Sequence, residues 1–327
     1  MKNLSGHTKP FAVLGHPIGH TLSPVMHNAA FAALGLDAIY LAFDVAPENL
    51  LPVLQSMRAM GFNGVNLTVP LKETAFRGLT DLAPSAKMLG AVNTVQFLPT
   101  GDSQQGLGGK VSDHSRPTED REIGQIVGRE WLSTRNLPAG LRGHNTDGIG
   151  FLRALQESFG LSAKGLSLFV LGCGGAGRAV AITAASEGAA RLTLADVDDA
   201  RCGRLADEIA ALAPGASVVQ AGGAPAAWPT LSREADLIVQ ASPVGMKPGD
   251  VCPLPPGAFR PGQSAFDLVY NLPETCFTKA AAAAGAKAVN GLGMLLHQGA
   301  EALSIWTGQP APVDVMREAL RKALYGK

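Results

Sequence analysis

Residues 166–180, LSLFVLGCGGAGRAV, form an apolar run that passes directly into G-x-G-G-x-G and then into a helix-forming stretch. No other segment constrains the fold as strongly. Glycines at these intervals between a strand and a helix allow a turn that presents backbone N–H groups and a helix N-terminus to a pyrophosphate. Gly172 permits the tight turn, Gly174, Gly175 and Ala176 bring the backbone close to the anion, and Gly177 lets the helix lie against the sheet. The glycine pattern is weak evidence by itself, but here a second strand, RLTLAD, ends in Asp196 at the distance where a carboxylate accepts hydrogen bonds from both hydroxyls of an adenosine ribose. A 2′-phosphate would meet repulsion there, and the next residue is Val197 rather than a cation, so the pattern predicts NAD, with NADP possible. The alternative is that Asp196 only caps the turn before VDDAR. Cys173, inside the loop, reads as a small filler.

The rest of the chain supplies the framework that such a unit needs. FAVLG (11–15), AIYLAFDV (38–45) and GVNLTV (64–69) read as strands, and SPVMHNAAFAALG (23–35) and PENLLPVLQSMRAMG (47–61) as helices. Ser23 is placed as the N-cap of the first helix, with Pro24 at the first helical position. After residue 150 the alternation resumes with FLRALQESFG, LSLFVLG, AGRAVAITAASEG, RLTLAD, ARCGRLADEIAAL, ADLIVQAS and SAFDLVY, and two amphipathic helices close the chain. Repeated β-then-α units imply a mainly parallel sheet. The fold expected is therefore α/β in two domains, an N-terminal α/β substrate domain and a Rossmann-type dinucleotide-binding domain, which suits 327 residues of 46% hydrophobic content.

Between residues 99 and 142 the texture changes. GDSQQGLGGKVSDHSRPTEDRE is rich in Gly, Ser and charge, and IGQIVGREWL has weak helical spacing. This insertion reads as a disordered stretch or mobile flap, with a small helical lid as the alternative.

Composition excludes several function classes. Lys plus Arg and Asp plus Glu each total 27, so no net field recruits nucleic acid or an anionic membrane, and small molecules or protein are the partners expected. No apolar run approaches the roughly 20 residues that span a bilayer, and the N-terminus lacks the apolar core of a signal peptide, which points to the cytoplasm. Cys173, Cys202, Cys252 and Cys276 are scattered and read as reduced thiols. His16, His20, His27 and His144 lie near the motifs described next, but no metal-ligand spacing joins them, and no metal is expected.

LGHPIGHTLSPVMHN (14–28), GVNLTVPLK (64–72), GAVNTV (90–95), GHNTDGIG (143–150), ASPVGM (241–246), FDLVYNLPET (266–275) and NGLGMLLHQGAEALSIWTG (290–308) follow one another in an order and wording that resemble the shikimate/quinate dehydrogenase family. The resemblance covers nearly the whole chain apart from the insertion, where that family joins GAVNTV to GHNTDG by a short hairpin. It implies that Lys72 and Asp147 are the catalytic pair. Oxidising a secondary alcohol requires a base within hydrogen-bond reach of the hydroxyl while hydride leaves the carbon. Lys72 is given the proton-transfer role and Asp147 the orienting role, with exchanged roles open.

By the same resemblance, Thr21 and Ser23 bind a substrate carboxylate through their hydroxyls, and Asn66, Thr68, Asn93, Tyr270 and Gln298 line the pocket for the ring hydroxyls. Gly291 and Met294 back the nicotinamide, and Ser242 and Pro243 sit at the carboxyl edge of the dinucleotide sheet. Thr21 replaces the serine more usual in shikimate dehydrogenases. FDV after YLA and MKP after VG resemble members that also accept quinate. The implied activity is NAD-preferring, reversible oxidation of a ring hydroxyl of shikimate or quinate, with an amino analogue as an alternative. A folate-type methylene dehydrogenase and a silent nucleotide sensor are further alternatives. The substrate domain is expected at 1–150, completed by 297–327, and the dinucleotide domain at 151–296, in a monomer or homodimer. Its pathway direction, chorismate synthesis or quinate breakdown, is open.

Overall fold

The computed structural model describes residues 4–98, 140–247 and 249–326, and the expectation for a flap or lid between 99 and 139 lies outside them. The N-terminal part runs β1 (Lys9–Gly15), α1 (Ser23–Ala33), β2 (Ala38–Asp44), α2 (Leu50–Ala59), β3 (Gly64–Leu67), α3 (Leu71–Gly78), β4 (Asp81–Leu82), α4 (Pro84–Leu89), β5 (Thr94–Phe97) and β6 (Leu141–His144). These strands form one sheet in the order β2-β1-β3-β5-β6-β4. The β1/β2 and β1/β3 pairs are parallel, as the βα alternation requires, whereas β5 is antiparallel to both β3 and β6. Phe97 stands opposite Leu141, so the two ends of the insertion enter and leave the sheet side by side.

The second part begins with α5 (Asp147–Phe159) and continues with β7 (Ser167–Leu171), α6 (Gly175–Ser186), β8 (Arg191–Ala195), α7 (Asp199–Leu212), β9 (Ser217–Gly222), α8 (Trp228–Arg233), β10 (Leu237–Gln240), β11 (Ser264–Asp267), α9 (Cys276–Ala283) and β12 (Lys287–Val289). Its sheet is wholly parallel in the order β12-β11-β10-β7-β8-β9. The strand order reverses between β7 and β10, and ligands of open α/β sheets bind in the crevice that such a reversal creates.

Two final helices, α10 (Leu292–Thr307) and α11 (Val313–Tyr325), return to the first sheet, where Leu296, Leu303, Met316 and Leu320 share a core with Phe11, Phe31 and Tyr40. The boundaries expected at 150/151 and 296/297 both fall inside helices, α5 and α10, because the chain crosses between the sheets along them. These helices touch each other: Arg153 pairs with Glu301 at 2.8 Å, and His297 Nε2 lies 3.0 Å from Glu157, which also pairs with Arg317 of α11 at 2.6 Å. Helix α5 also belongs to the second core, where Phe151 stacks on Phe266 with ring centres 5.8 Å apart. Among the described residues no helix is long and apolar enough to cross a membrane.

One local expectation is corrected. Ser23 is the first residue of α1 and not its N-cap; Leu22 occupies the cap position, and no side chain caps the helix. The Ser23 hydroxyl is instead engaged by Thr21, whose Oγ1 lies 3.4 Å away, in the turn that faces the cavity described next. The hydroxyl is taken up within this turn rather than at the helix end.

Candidate active site

The carboxyl ends of β1 and β3, the start of α5 and the face of α10 enclose a cavity of about 210 Å³. Lys72 reaches it from the first turn of α3, directly after the Val69–Pro70 bond. Asp147 reaches it as the first residue of α5, where the helix dipole favours a negative charge. Lys72 Nζ donates to Asp147 Oδ2 at 2.7 Å, with the carboxylate side chain 11% exposed. The other oxygen, Oδ1, accepts from Asn93 Nδ2 at 2.9 Å, and the Asp147 N–H donates to Asn145 Oδ1 at 2.9 Å. A buried carboxylate thus has a partner on each oxygen, which keeps it in place at modest desolvation cost.

Around this pair the structure gathers all seven residues expected to hold a ring acid. Thr21 and Ser23 stand on the turn after β1, Asn66 and Thr68 at the end of β3, and Asn93 just before β5. Tyr270 comes from the loop after β11, and Gln298 from α10. Hydroxyls, amides and an ammonium converging on a small cavity suit a hydroxylated cyclic acid. The Tyr270 loop is shaped by Asp267, buried at the end of β11, which accepts from the Val269 N–H at 3.0 Å and from Thr275 Oγ1 at 2.6 Å. Burial raises this carboxyl to about 6 against the opposing effect of those two bonds. Ile18, Leu268 and Leu295, which sequence reasoning did not single out, also line the cavity, as does His20, noted from sequence only as one of four histidines near the motifs.

The glycine loop fits a dinucleotide. Gly172 has φ +99°, and a Cβ there would come within 2.6 Å of the Ser242 nitrogen. A Cβ on Gly177 would sit 1.8 Å from the Gly172 oxygen, so only glycine allows α6 to approach the strand end. Gly174 and Gly175, in contrast, face open space at the N-terminus of α6, where an anion has room. Ala176, Gly291 and Met294 extend from this side into the cavity with Lys72. Ser242 abuts the glycine loop, while Pro243 borders a separate shallow cleft with Lys247 and Asn271, so neither lines the Lys72 cavity.

Asp196 lies just beyond the end of β8 and is buried. Its Oδ2 accepts from the Cys173 N–H at 2.7 Å and its Oδ1 from the Asp198 N–H at 3.0 Å. Arg201 of α7, which sequence reasoning missed, approaches both oxygens at 3.3 and 3.2 Å. Burial acts to raise this carboxyl, but these hydrogen bonds and the guanidinium outweigh it and hold it below the usual range. The only available signal for Arg201 was its place one helical turn into VDDAR. Burial also pushes the thiol of Cys173 well up, consistent with a filler.

The four histidines have separate environments. His16 pairs with Asp44 at 2.5 Å, His20 faces the cavity, and His144 meets Gln96 at 3.3 Å. His27 is fully buried and stacks on Tyr40. Among the described residues no group of three or more His, Cys, Asp or Glu is placed to hold a metal ion.

A reversing parallel sheet with a glycine cradle, facing a lysine–carboxylate pair across a small polar cavity, defines a two-lobed dinucleotide-dependent oxidoreductase. Residues 13–95 match the family model for the shikimate dehydrogenase substrate binding domain, and residues 291–321 match that for the shikimate 5′-dehydrogenase C-terminal domain. The chain is 41% identical to shikimate dehydrogenase (NADP(+)) of Moorella thermoacetica, over 99% of this chain and 96% of that one. Among solved structures, shikimate 5-dehydrogenase from Listeria monocytogenes, in complex with shikimate and NAD, is 32% identical with a TM-score of 0.79, covering 98% of this chain and 99% of that one. Quinate dehydrogenase from Corynebacterium glutamicum, in complex with NAD, is 28% identical with a TM-score of 0.77, covering 96% and 98%. The chain belongs to the shikimate dehydrogenase family and is an NAD(P)-dependent oxidoreductase that acts on a CH–OH group.

Proposed function

We propose that this protein interconverts shikimate and 3-dehydroshikimate, prefers NAD, and accepts quinate as a second substrate. The observation that carries this reading is the Lys72–Asp147 pair at 2.7 Å, set in one cavity with Thr21 and Ser23 at one end and the Ala176, Gly291 and Met294 side of the glycine cradle at the other.

Thr21 and Ser23 hold the ring carboxylate through their hydroxyls. Asn66, Thr68, Asn93, Tyr270 and Gln298 engage the ring hydroxyls and so fix which one meets Lys72. In the oxidative direction the Lys72 amine takes the proton from that hydroxyl; in the reductive direction it returns it. Asp147, held by Asn93 on its far oxygen, keeps the lysine aimed and balances its charge. A bound nicotinamide supplies the hydride acceptor. Leu268, Met294 and Leu295 exclude water from that side. We assign the first sheet with the end of α10 and with α11 to substrate, and the second sheet from α6 to β12 to the dinucleotide.

The cofactor preference rests on charge. Asp196, Asp198 and Asp199 place three carboxylates around the end of β8 against one guanidinium, Arg201, which is already paired with Asp196 at 3.2 Å and Asp198 at 3.5 Å. Val197, where a phosphate-binding cation would help, is 80% exposed and apolar. A ribose with free hydroxyls fits these acceptors, and a 2′-phosphate is repelled. The Moorella relative is named for NADP(+), so the reading is open to a direct test. Quinate follows from Thr21, whose extra methyl reshapes the carboxylate end by an amount that discriminates related rings at about 1–3 kcal/mol.

Initial rates on shikimate and quinate with each cofactor decide the matter. The expected order has shikimate with NAD highest and quinate with NAD measurable. Equal or better efficiency with NADP removes the cofactor reading, and absence of turnover on both acids removes the substrate reading.

A further inference from the structure

Two buried residues outside the cavity join several of its polar side chains into one hydrogen-bond path. Tyr40 of β2 is 1% exposed, Thr94 of β5 is fully buried, and neither lines the cavity. Tyr40 donates its hydroxyl to Asn66 Oδ1 at 2.6 Å. Asn66 Nδ2 donates to the Asn93 carbonyl at 3.1 Å and to Thr94 Oγ1 at 3.0 Å. Thr94 Oγ1 donates in turn to Asn93 Oδ1 at 2.9 Å, and Asn93 Nδ2 donates to Asp147 Oδ1 at 2.9 Å. The path therefore runs Tyr40, Asn66, Thr94, Asn93, Asp147, Lys72.

Backbone groups set the orientation of both amides. A carbonyl only accepts, so the atom of Asn66 facing the Asn93 carbonyl must be its nitrogen. The Thr146 N–H only donates, so the atom of Asn93 facing it at 2.9 Å must be its oxygen. Both hydrogens of the Asn66 amide are then spent inside the protein, and what it offers a ring group is an acceptor lone pair. His27 fixes the ring of Tyr40 from behind by stacking at 4.3 Å with planes 7° apart.

We propose that Tyr40 and Thr94 are positioning residues that tie Asn66 of the ring pocket to the Lys72–Asp147 pair through Asn93. Neither touches substrate. Thr94 holds Asn93, which holds the carboxylate that aims Lys72. Tyr40 holds Asn66, so that the Asn66 contact with the ring acid and the aiming of the lysine belong to one network. Linked buried hydrogen bonds polarise one another and rigidify the groups they join. The inference rests on the assignment of Lys72 and Asp147 as the catalytic pair.

The test uses the full chain with Thr94→Val, Thr94→Ser and Tyr40→Phe, together with Lys72→Ala as a control. Measured are kcat and KM for the ring acid, the pH profile of kcat/KM, dinucleotide affinity and Tm. Thr94→Val is expected to lower kcat about tenfold, the worth of one buried hydrogen bond, and to shift the pH profile, with dinucleotide affinity unchanged. Thr94→Ser keeps the hydroxyl and restores both. Tyr40→Phe acts at the far end and raises KM more than it lowers kcat. If Thr94→Val lowers Tm while kcat and the pH profile stay as in the parent, or if Thr94→Ser fails to rescue, the bridge only supports the fold and the proposal is overturned. A Lys72→Ala variant that keeps its rate overturns the catalytic pair itself, and the bridge with it. A dead Lys72→Ala beside an unaffected Thr94→Val overturns the bridge alone.

Discussion

Asn93 and Lys72 grip opposite oxygens of one carboxylate: Asn93 Nδ2 lies 2.9 Å from Asp147 Oδ1, and Lys72 Nζ lies 2.7 Å from Oδ2. Asp147 therefore cannot rotate without breaking a bond on either side. This two-sided hold makes the removal of either end distinguishable in kinetics.

Lys72→Ala is expected to lower kcat by about 10²- to 10⁴-fold, the usual worth of a positioned proton-transfer group. Asn93→Ala is expected to raise KM and to lower kcat less, since it removes a ring contact and loosens the carboxylate. Dinucleotide binding, followed by fluorescence titration, stays intact in both. A Lys72→Ala enzyme with near-normal kcat contradicts the assignment.

Asp196→Asn keeps an oxygen for the Cys173 N–H but removes a charge and frees Arg201 from its ion pair. The ratio of kcat/KM for NADP to that for NAD is expected to rise about tenfold, in line with the loss of one charge repulsion near the 2′-position. An unchanged ratio means that Asp196 serves the loop and not the ribose.

His27 links acidity to stability. It is fully buried, neither ring nitrogen has a hydrogen-bond partner among the described residues, and burial lowers its pKa from 6.5 to about 3. Between those values the unfolded chain binds a proton that the folded chain refuses, so stability rises with pH through this window and levels off above it. Falling pH costs about 1.4 kcal/mol per unit from this residue. His27→Phe is expected to flatten the pH dependence of urea denaturation below about pH 6.5 by that amount relative to the parent. Parallel curves for the two proteins rule the linkage out.

Gly150 lies where α5 packs tightly against α10. A Cβ there would stand 2.9 Å from both the Cβ and the backbone nitrogen of Gln298. Gly150→Ala is expected to destabilise by about 1–3 kcal/mol through overpacking and to raise KM, because the helix that yields carries Gln298 into the cavity. Thermal denaturation and initial rates check both parts. A variant as stable as the parent shows that the seam has slack.

Much of the architecture is legible in residue order alone. The alternation of apolar strands with helical spacing from Phe11 onward produces two βα sets, and Gly172 and Gly177 occupy positions where a Cβ would strike backbone. These are local properties, set by the period of a strand or helix and by the volume of one missing methyl. The ordered motifs likewise marked Thr21, Ser23, Asn66, Thr68, Asn93, Tyr270 and Gln298, which all line the cavity with Lys72 and Asp147.

Other features depend on contacts that no local rule contains. Asp147 meets Lys72 across 75 residues, and Arg201 finds Asp196 only because α7 folds back over the end of β8. Ser23 looked like a helix cap because its neighbours favour that, yet its hydroxyl is used in the turn facing the cavity. Tyr40 reads as an ordinary strand residue and Thr94 only as a letter of the GAVNTV motif; their hydroxyls acquire meaning once β2, β3 and β5 lie within one sheet and bring Asn66 and Asn93 within reach. Sequence by itself determined which elements form and which chemical groups are on hand, since propensity and shape act over a few residues. Tertiary structure decided which groups meet, because a hydrogen bond needs its atoms within about 3 Å and only packing of distant elements sets that distance.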